Sequence, residues 1–169
     1  MTRAVLGLGA NLGDARAALR AAVAGLAGHP GIDLVGVSGL WRTAPVGGPE
    51  QAEYLNAVVV LDTSLRPAEL LAVAHGLESA AGRVRDVRWG PRTLDVDLID
   101  VSGARSSDPA LALPHPRAGQ RAFVLAPWAQ LEPHATLAPP GQPPVSIAAL
   151  LADLAAQSIE LVDEGDWWR

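Results

Sequence analysis

Trp89-Gly90-Pro91-Arg92-Thr93-Leu94-Asp95-Val96-Asp97-Leu98-Ile99-Asp100 passes from loop to strand within a dozen residues. The Gly-Pro break marks the loop. The alternation that follows reads as a strand, with Asp95 and Asp97 on one face and Leu94, Val96 and Leu98 on the other. Two residues along a strand span roughly 6–7 Å. Two carboxylates at that spacing make a seat for one or two Mg²⁺ ions, which take one or two protein carboxylates and complete their shell with water and phosphate oxygens. The alternative is that the pair merely lines the solvated face of an edge strand. Just upstream, Arg83, Arg85, Arg88 and Arg92 supply four of the chain's thirteen basic side chains. Metal-binding carboxylates beside clustered guanidinium groups are the inventory of phosphoryl transfer.

Outward from this stretch, the periodicities give an ordered set of elements. Upstream, Pro67 suits the first turn of a helix running to about Ala81, with Glu69 near its positive end and a core stripe of Leu70, Ala74, Leu77 and Ala81. His75 and Glu78 lie three apart on a neighbouring face, and spacing alone reads them as a solvated pair. Tyr54–Asp62 is the clearest strand: Tyr54, Asn56, Val58 and Val60 share one face, and Leu55, Ala57, Val59 and Leu61 the other. Thr43–Glu53 is rich in breakers and reads as a loop. Ile32–Arg42 reads as one strand, and His29 as a turn residue. Asp14–Ala27 reads as a helix with the stripe Leu19, Val23 and Leu26, and Arg3–Gly9 as a buried strand. Gly7, Gly9 and Gly13 miss the dinucleotide-binding spacing, because the third glycine falls one place late. They read instead as a tight strand-to-helix turn.

The order is β-α-β-β-α-β, the ferredoxin-like plan of the α+β class. It predicts a four-stranded antiparallel sheet with two helices on one face. Residues 1–101 form this core of a single catalytic domain spanning 1–169. The remainder, 102–169, reads as a helical appendage with helices at Arg121–Leu131 and Ile147–Ala156. Many unrelated proteins share this order, so the plan does not decide function.

Composition narrows the partners. With 169 residues, 49% apolar and 18% charged, the chain can bury a substantial core. A net charge of −5 argues against nucleic acid as the main partner. No cysteine is present, which excludes disulfides and thiolate chemistry. No apolar run is long enough to span a bilayer and no signal pattern opens the chain, so no membrane partner and a cytoplasmic location are expected. All the basic residues are Arg, which points to a compositional bias and tempers the weight of any single one.

The string Gly82-Arg83-x-Arg85-x-x-x-Trp89-Gly90-Pro91-Arg92-Thr93-Leu94-Asp95-x-Asp97-Leu98-Ile99 closely resembles the signature of the 6-hydroxymethyl-7,8-dihydropterin pyrophosphokinases of folate biosynthesis. Arg42-Thr43-x-Pro45, Tyr54-Leu55-Asn56 and Pro114-His115 with Arg121-x-Phe123-x-Leu125 match in order as well. The resemblance runs from about Gly7 to Pro133. It implies an ATP-dependent diphosphotransferase that moves pyrophosphate from ATP to the hydroxymethyl group of the dihydropterin and releases AMP. It implies two Mg²⁺ on Asp95 and Asp97, with Arg83 and Arg92 catalytic. The pterin falls to Thr43, Pro45, Val46, Tyr54, Asn56 and Phe123. The nucleotide falls to His75, Glu78, Arg85, Trp89, Arg92, Leu98, His115 and Arg121.

The chemistry of a pterin supports the aromatic assignment independently. A flat polar heterocycle needs stacking on its faces and hydrogen bonds along its edge. Tyr54 and Phe123 are the chain's single Tyr and single Phe, and Asn56 offers both donor and acceptor. The chain departs from the family at Ala10, where a hydroxyl residue is usual, and at His75, where a Gln can stand. It also departs at Asp108–Ala112, where relatives can carry an arginine and a hydroxyl residue for ATP. The loops Thr43–Glu53 and Gly82–Arg92 are candidate lids, no side chain stands out as a general base, and a monomer or weak oligomer is expected. Two rivals predict other outcomes. A nucleotidyltransferase would release pyrophosphate, and a ferredoxin-like RNA-binding module would expose aromatics on a basic face.

Overall fold

The computed structural model describes residues 1–44, 50–82 and 93–169. The first part of the chain forms β1 (Thr2–Ala10), α1 (Ala15–Ala27), β2 (Ile32–Val37), β3 (Leu40–Thr43), β4 (Tyr54–Thr63), α2 (Pro67–Ala80) and β5 (Asp95–Val101). The expected β-α-β-β-α-β order is there, with the second strand in two pieces. β1 lies between β4 and β5, and β4 pairs along its other edge with β2 and β3 in succession, all antiparallel.

Local chemistry sets the helix ends. Asp14 caps α1 by accepting from the Ala17 N–H at 3.0 Å. Glu69 accepts from the Arg66 N–H at 2.7 Å in a capping box, behind Pro67 in the first turn of α2. The predicted stripe Leu19, Val23 and Leu26 is buried, as are Leu70 and Ala74. These side chains meet Ala4, Leu6 and Leu8 of β1, Ala57, Val59 and Leu61 of β4, and Val96 and Leu98 of β5 in one core. The alternation of β5 holds: Val96 and Leu98 are buried while Asp95 and Asp97 are half-buried on the other face.

The later residues form α3 (Ala122–Leu131), β6 (Thr136–Leu137), β7 (Val145–Ser146), α4 (Ile147–Ala152) and β8 (Ile159–Asp163). They correct the reading of an appendage. Val124, Leu125 and Trp128 of α3, with Ile147 of α4, bury against Val5, Val58, Val60 and Ile99 in a second core on the opposite face of the sheet. The extension is thus the cover of that face. β8, unanticipated in the sequence, adds to the free edge of β3. The last helix ends at Ala152, earlier than the expected Ala156.

Two further readings change. Gly7 and Gly9 belong to the interior of β1, and only Gly13, at φ +67°, lies in the turn. Ile32–Arg42 is broken at Ser38–Gly39, because β2 and β3 meet β4 on either side of a kink. Among the described residues no helix is long and apolar enough to cross a membrane. The candidate lids fall largely on 45–49 and 83–92, outside the described residues.

Candidate active site

Register across the sheet places the predicted residues side by side. Asp95 lies opposite Gly9, Gly9 opposite Asn56, and Asn56 opposite Trp41. One step along, Asp97 lies opposite Gly7, and Gly7 opposite Val58. Cross-strand partners share a face, so the carboxylates, Asn56 and Tyr54 look the same way, toward the side covered by α3.

Glycine is what keeps this row open. A Cβ on Gly9 would lie 3.1 Å from Asn56 Oδ1 and 3.8 Å from Tyr54 Cδ1; one on Gly7 would lie 3.3 Å from Ile99 Cδ1. Strand glycines mark places where something approaches the backbone closely. Here they form a floor between the carboxylates and the Asn56–Tyr54 pair. Sequence reasoning assigned them to a turn, although a Gly-x-Gly inside an apolar strand carries this signal.

On the side of β4, Asn56 Nδ2 donates to Thr43 Oγ1 at 2.9 Å, and both residues are buried. Asn11, which sequence reasoning did not single out, donates from Nδ2 to Gln51 Oε1 and to Ala52 O, each at 2.8 Å. It fastens the turn after β1 to the residues leading into Tyr54. Phe123, in the first turn of α3, packs on the second core and so stands on the same side of the sheet as Tyr54. The Arg121 guanidinium lies 5.4 Å from the Phe123 ring centroid, within reach of a cation–π contact.

On the side of β5, a cavity of about 220 Å³ is lined by His75, Glu78, Asp95, Asp97, Leu98 and His115, with Pro109–Ala112 as a further wall. This corrects the reading of His75 and Glu78 as a solvated pair. His75 is exposed, but Glu78 is buried, and its Oε2 accepts from the Val96 N–H at 3.1 Å. β5 is an edge strand, and Glu78 satisfies one of its outward-facing donors.

Electrostatics join the two sides. Burial pushes the His115 imidazole down to about 4, helped by Arg121 and opposed by the charge of Asp95. The ring is therefore neutral at pH 7. Its Nδ1 accepts from the Arg117 N–H at 3.1 Å, which leaves the ring proton on Nε2, free to be donated. Its backbone N–H donates to Ile99 O at 2.8 Å, fixing the residue beside β5. Arg121 is lowered from its ordinary value mainly by burial, and Asp97 pulls it back up. This guanidinium thus lies within the fields of both carboxylates. Pro45, Val46, Arg83, Arg85, Trp89 and Arg92 lie outside the described residues.

The donor set fits Mg²⁺. It consists of two carboxylates on one strand face, beside side-chain-free backbone at Gly7 and Gly9. Among the described residues no group of three or more His, Cys, Asp or Glu is arranged to hold a metal. A hard cation held by two carboxylates keeps positions for water and phosphate oxygens.

Comparison with known proteins gives consistent results. The sequence model of the 7,8-dihydro-6-hydroxymethylpterin-pyrophosphokinase family matches residues 5–133. A 2-amino-4-hydroxy-6-hydroxymethyldihydropteridine pyrophosphokinase of Methylorubrum extorquens is 45% identical over 163 residues, covering 96% of this chain and 100% of that protein. Proteins of the same name from Bacillus subtilis (44% over 128 residues, 76% of this chain and 77% of the relative) and Mycobacterium tuberculosis (44% over 164 residues, 91% and 85%) are also similar. Among solved structures, wild-type Plasmodium falciparum HPPK-DHPS superposes with a TM-score of 0.69 over 92% of this chain. The chain spans 45% of that longer protein, and at 14% identity the likeness speaks for the fold alone.

Proposed function

This chain belongs to the 7,8-dihydro-6-hydroxymethylpterin-pyrophosphokinase family, and we propose that the open face of β5, β1 and β4 is where it does the family's chemistry. The chain is an ATP-dependent diphosphotransferase. It transfers pyrophosphate from ATP to the hydroxymethyl group of 6-hydroxymethyl-7,8-dihydropterin, a step of folate biosynthesis, with release of AMP. The observation that carries the site assignment is the register: Asp95, Gly9 and Asn56 in one cross-strand row, with Asp97 and Gly7 in the next.

The proposed division of labour follows from what each residue offers. Asp95 and Asp97 would hold the expected pair of Mg²⁺. Bound there, the metal would supply charge neutralisation on the triphosphate and lower the cost of ionising the attacking hydroxyl. The purine sits in the cavity lined by His75, Leu98 and Leu111. Arg121 and the neutral Nε2–H of His115 face the transferred phosphates, one as a charge and one as a directed donor. Phe123 and Tyr54 stack on the pterin, and Asn56 with Thr43 reads its edge. The hydroxymethyl oxygen then attacks the β-phosphorus as its proton passes to solvent, the bond from that phosphorus to the α,β-bridging oxygen breaks, and AMP leaves carrying that oxygen. Arg83, Arg85, Trp89 and Arg92, with Pro45 and Val46, are assigned by the resemblance of their motifs. Residues 1–169 act as one catalytic unit, monomeric or weakly associated and cytoplasmic, without nucleic-acid or membrane partners.

The test is the identity of the nucleotide product. Incubation with MgATP and hydroxymethyldihydropterin should yield AMP, dependent on both pterin and Mg²⁺. Release of ADP or of free pyrophosphate assigns a different reaction.

A further inference from the structure

The kink between β2 and β3 is held from three directions. From β4, Val58 N donates to Ser38 Oγ at 2.8 Å, and Ser38 N donates to Val58 O at 2.9 Å. From the face covered by α3, Gln130 Oε1 accepts from the Gly39 N–H at 3.1 Å and from Trp41 Nε1 at 3.0 Å. From the face covered by α1, Trp167 Nε1 donates to Ser38 O at 2.8 Å, with the indole buried in the first core. Gly39 leaves no room for a side chain: a Cβ there would lie 2.7 Å from Asp163 O and from Leu161 Cδ1. The tail that carries Trp167 is itself anchored on α1, through Arg16 to Asp163 at 2.8 Å and Arg20 Nε to Trp167 O at 3.0 Å.

This investment in a two-residue kink has a structural consequence four residues on. β3 is only Leu40–Thr43, meeting β4 at three positions and β8 at four, so a slip at its start is carried to its end. Where it begins decides where it ends, and it ends on Thr43, the acceptor of the Asn56 amide. An Asn side chain carries two N–H donors and one acceptor oxygen with two lone pairs. With one N–H committed to Thr43, the amide is turned so that its carbonyl oxygen lies over Gly9, 3.1 Å from where a Cβ there would stand.

We propose that Trp167 and Gln130 are positioning residues for pterin recognition, fixing the Ser38–Gly39 kink from opposite faces of the sheet and so setting where Thr43 meets Asn56. This rests on the assignment of Thr43 and Asn56 to the pterin. β1 and β4 stand between β3 and the carboxylates of β5, so the nucleotide side is little affected.

Two variants test it. Trp167→Phe keeps a ring and removes the N–H; Gln130→Met keeps the length and removes the acceptor. With MgATP saturating, each should raise the KM for hydroxymethyldihydropterin about fivefold, the scale of one net hydrogen bond. Their kcat and KM for MgATP should stay within about twofold, and Gln130→Glu, which retains an acceptor oxygen, should restore the pterin KM. Gln130 is exposed, so its variants decide the matter if Trp167→Phe fails to fold. Unchanged pterin KM in the folded variants, or equal losses for pterin and MgATP, overturns the proposal. Failure of the unaltered protein to use pterin at all removes the underlying assignment instead, and is seen before any variant is made.

Discussion

The two halves of the site are built on different kinds of strand. Thr43, Tyr54 and Asn56 belong to β3 and β4, each paired along both edges, and the Asn56 amide is bonded within the protein before any ligand arrives. Asp95 and Asp97 stand on β5, an edge strand whose outer backbone is satisfied at Val96 by the carboxylate of Glu78. A neutral heterocycle is recognised by shape and a few directed hydrogen bonds, which rewards a rigid seat inside the sheet. A metal–triphosphate is held by strong, less directional forces and must enter and leave. On the proposed assignment it would be served at an edge strand. The glycines of β1 join the halves, since on the proposed assignment they would bring a pterin substituent and a polyphosphate onto one floor with no side chain between them.

The comparison breaks most decisively at the carboxylates. Asp95→Ala or Asp97→Ala should lower turnover by about 10³-fold or more, the loss seen when a principal charge-stabilising group leaves a catalytic site. Circular dichroism should be unchanged, because both side chains are half-buried and neither belongs to a core. Near-normal activity in either variant reduces the pair to a solvated strand face. On the other half, Tyr54→Ala should raise the pterin KM by roughly tenfold, as expected when a stacking partner is lost, with KM for MgATP little altered. Equal losses for both substrates would deny that the halves are separable.

How much of this was legible in the sequence depended on whether a signal was local. The α1 and α2 stripes, the breaks at Pro67 and Gly13, and the alternation of residues 95–98 are written in neighbouring residues, and the structure keeps them. What was missed depends on distant partners. Ile159–Asp163 is short and carries Glu160 and Asp163, and becomes a strand because the edge of β3 is there to receive it. Glu78 looked solvated because nothing within α2 announces that a strand edge some eighteen residues on will present it a donor. The Ser38–Gly39 kink was hidden inside an apolar run. Of the candidate site, Asp95, Asp97, Tyr54, Asn56, Phe123, His115 and Arg121 were all named from motif and chemistry; the structure sets the first five on one side of the sheet and brings His115 and Arg121 within the field of Asp95. The role of Gly7 and Gly9 was not seen, because their meaning lies in which strands flank them.

The finest division runs within β5 itself. Asp100 is the third aspartate of that strand, but a register shift sets it apart: Leu6 pairs with Leu98 and Val5 with Asp100, so Ile99 is an extra residue between them. Beyond that bulge Asp100 lines a different cavity, with Arg3, Trp128 and Glu132. Burial raises its carboxyl above the ordinary aspartate value of 3.8, partly relieved by Arg105 and a backbone hydrogen bond at Val101, while Glu132 adds to the rise. A carboxyl whose folded value exceeds its unfolded one binds a proton more readily when folded, so its ionisation detracts from stability as pH climbs through and above that window. Asp100→Asn should therefore be more stable than the unaltered protein at neutral pH, by a rise in Tm of about 1–3 °C for a chain of this size. The gap should close as pH falls below about 3.8. Turnover and both KM values should be unchanged, since a carboxylate past the bulge faces neither substrate. A large loss of activity in Asp100→Asn would mean that the bulge does not separate the metal pair from the rest of its strand, and the site would have to be redrawn to include all three aspartates.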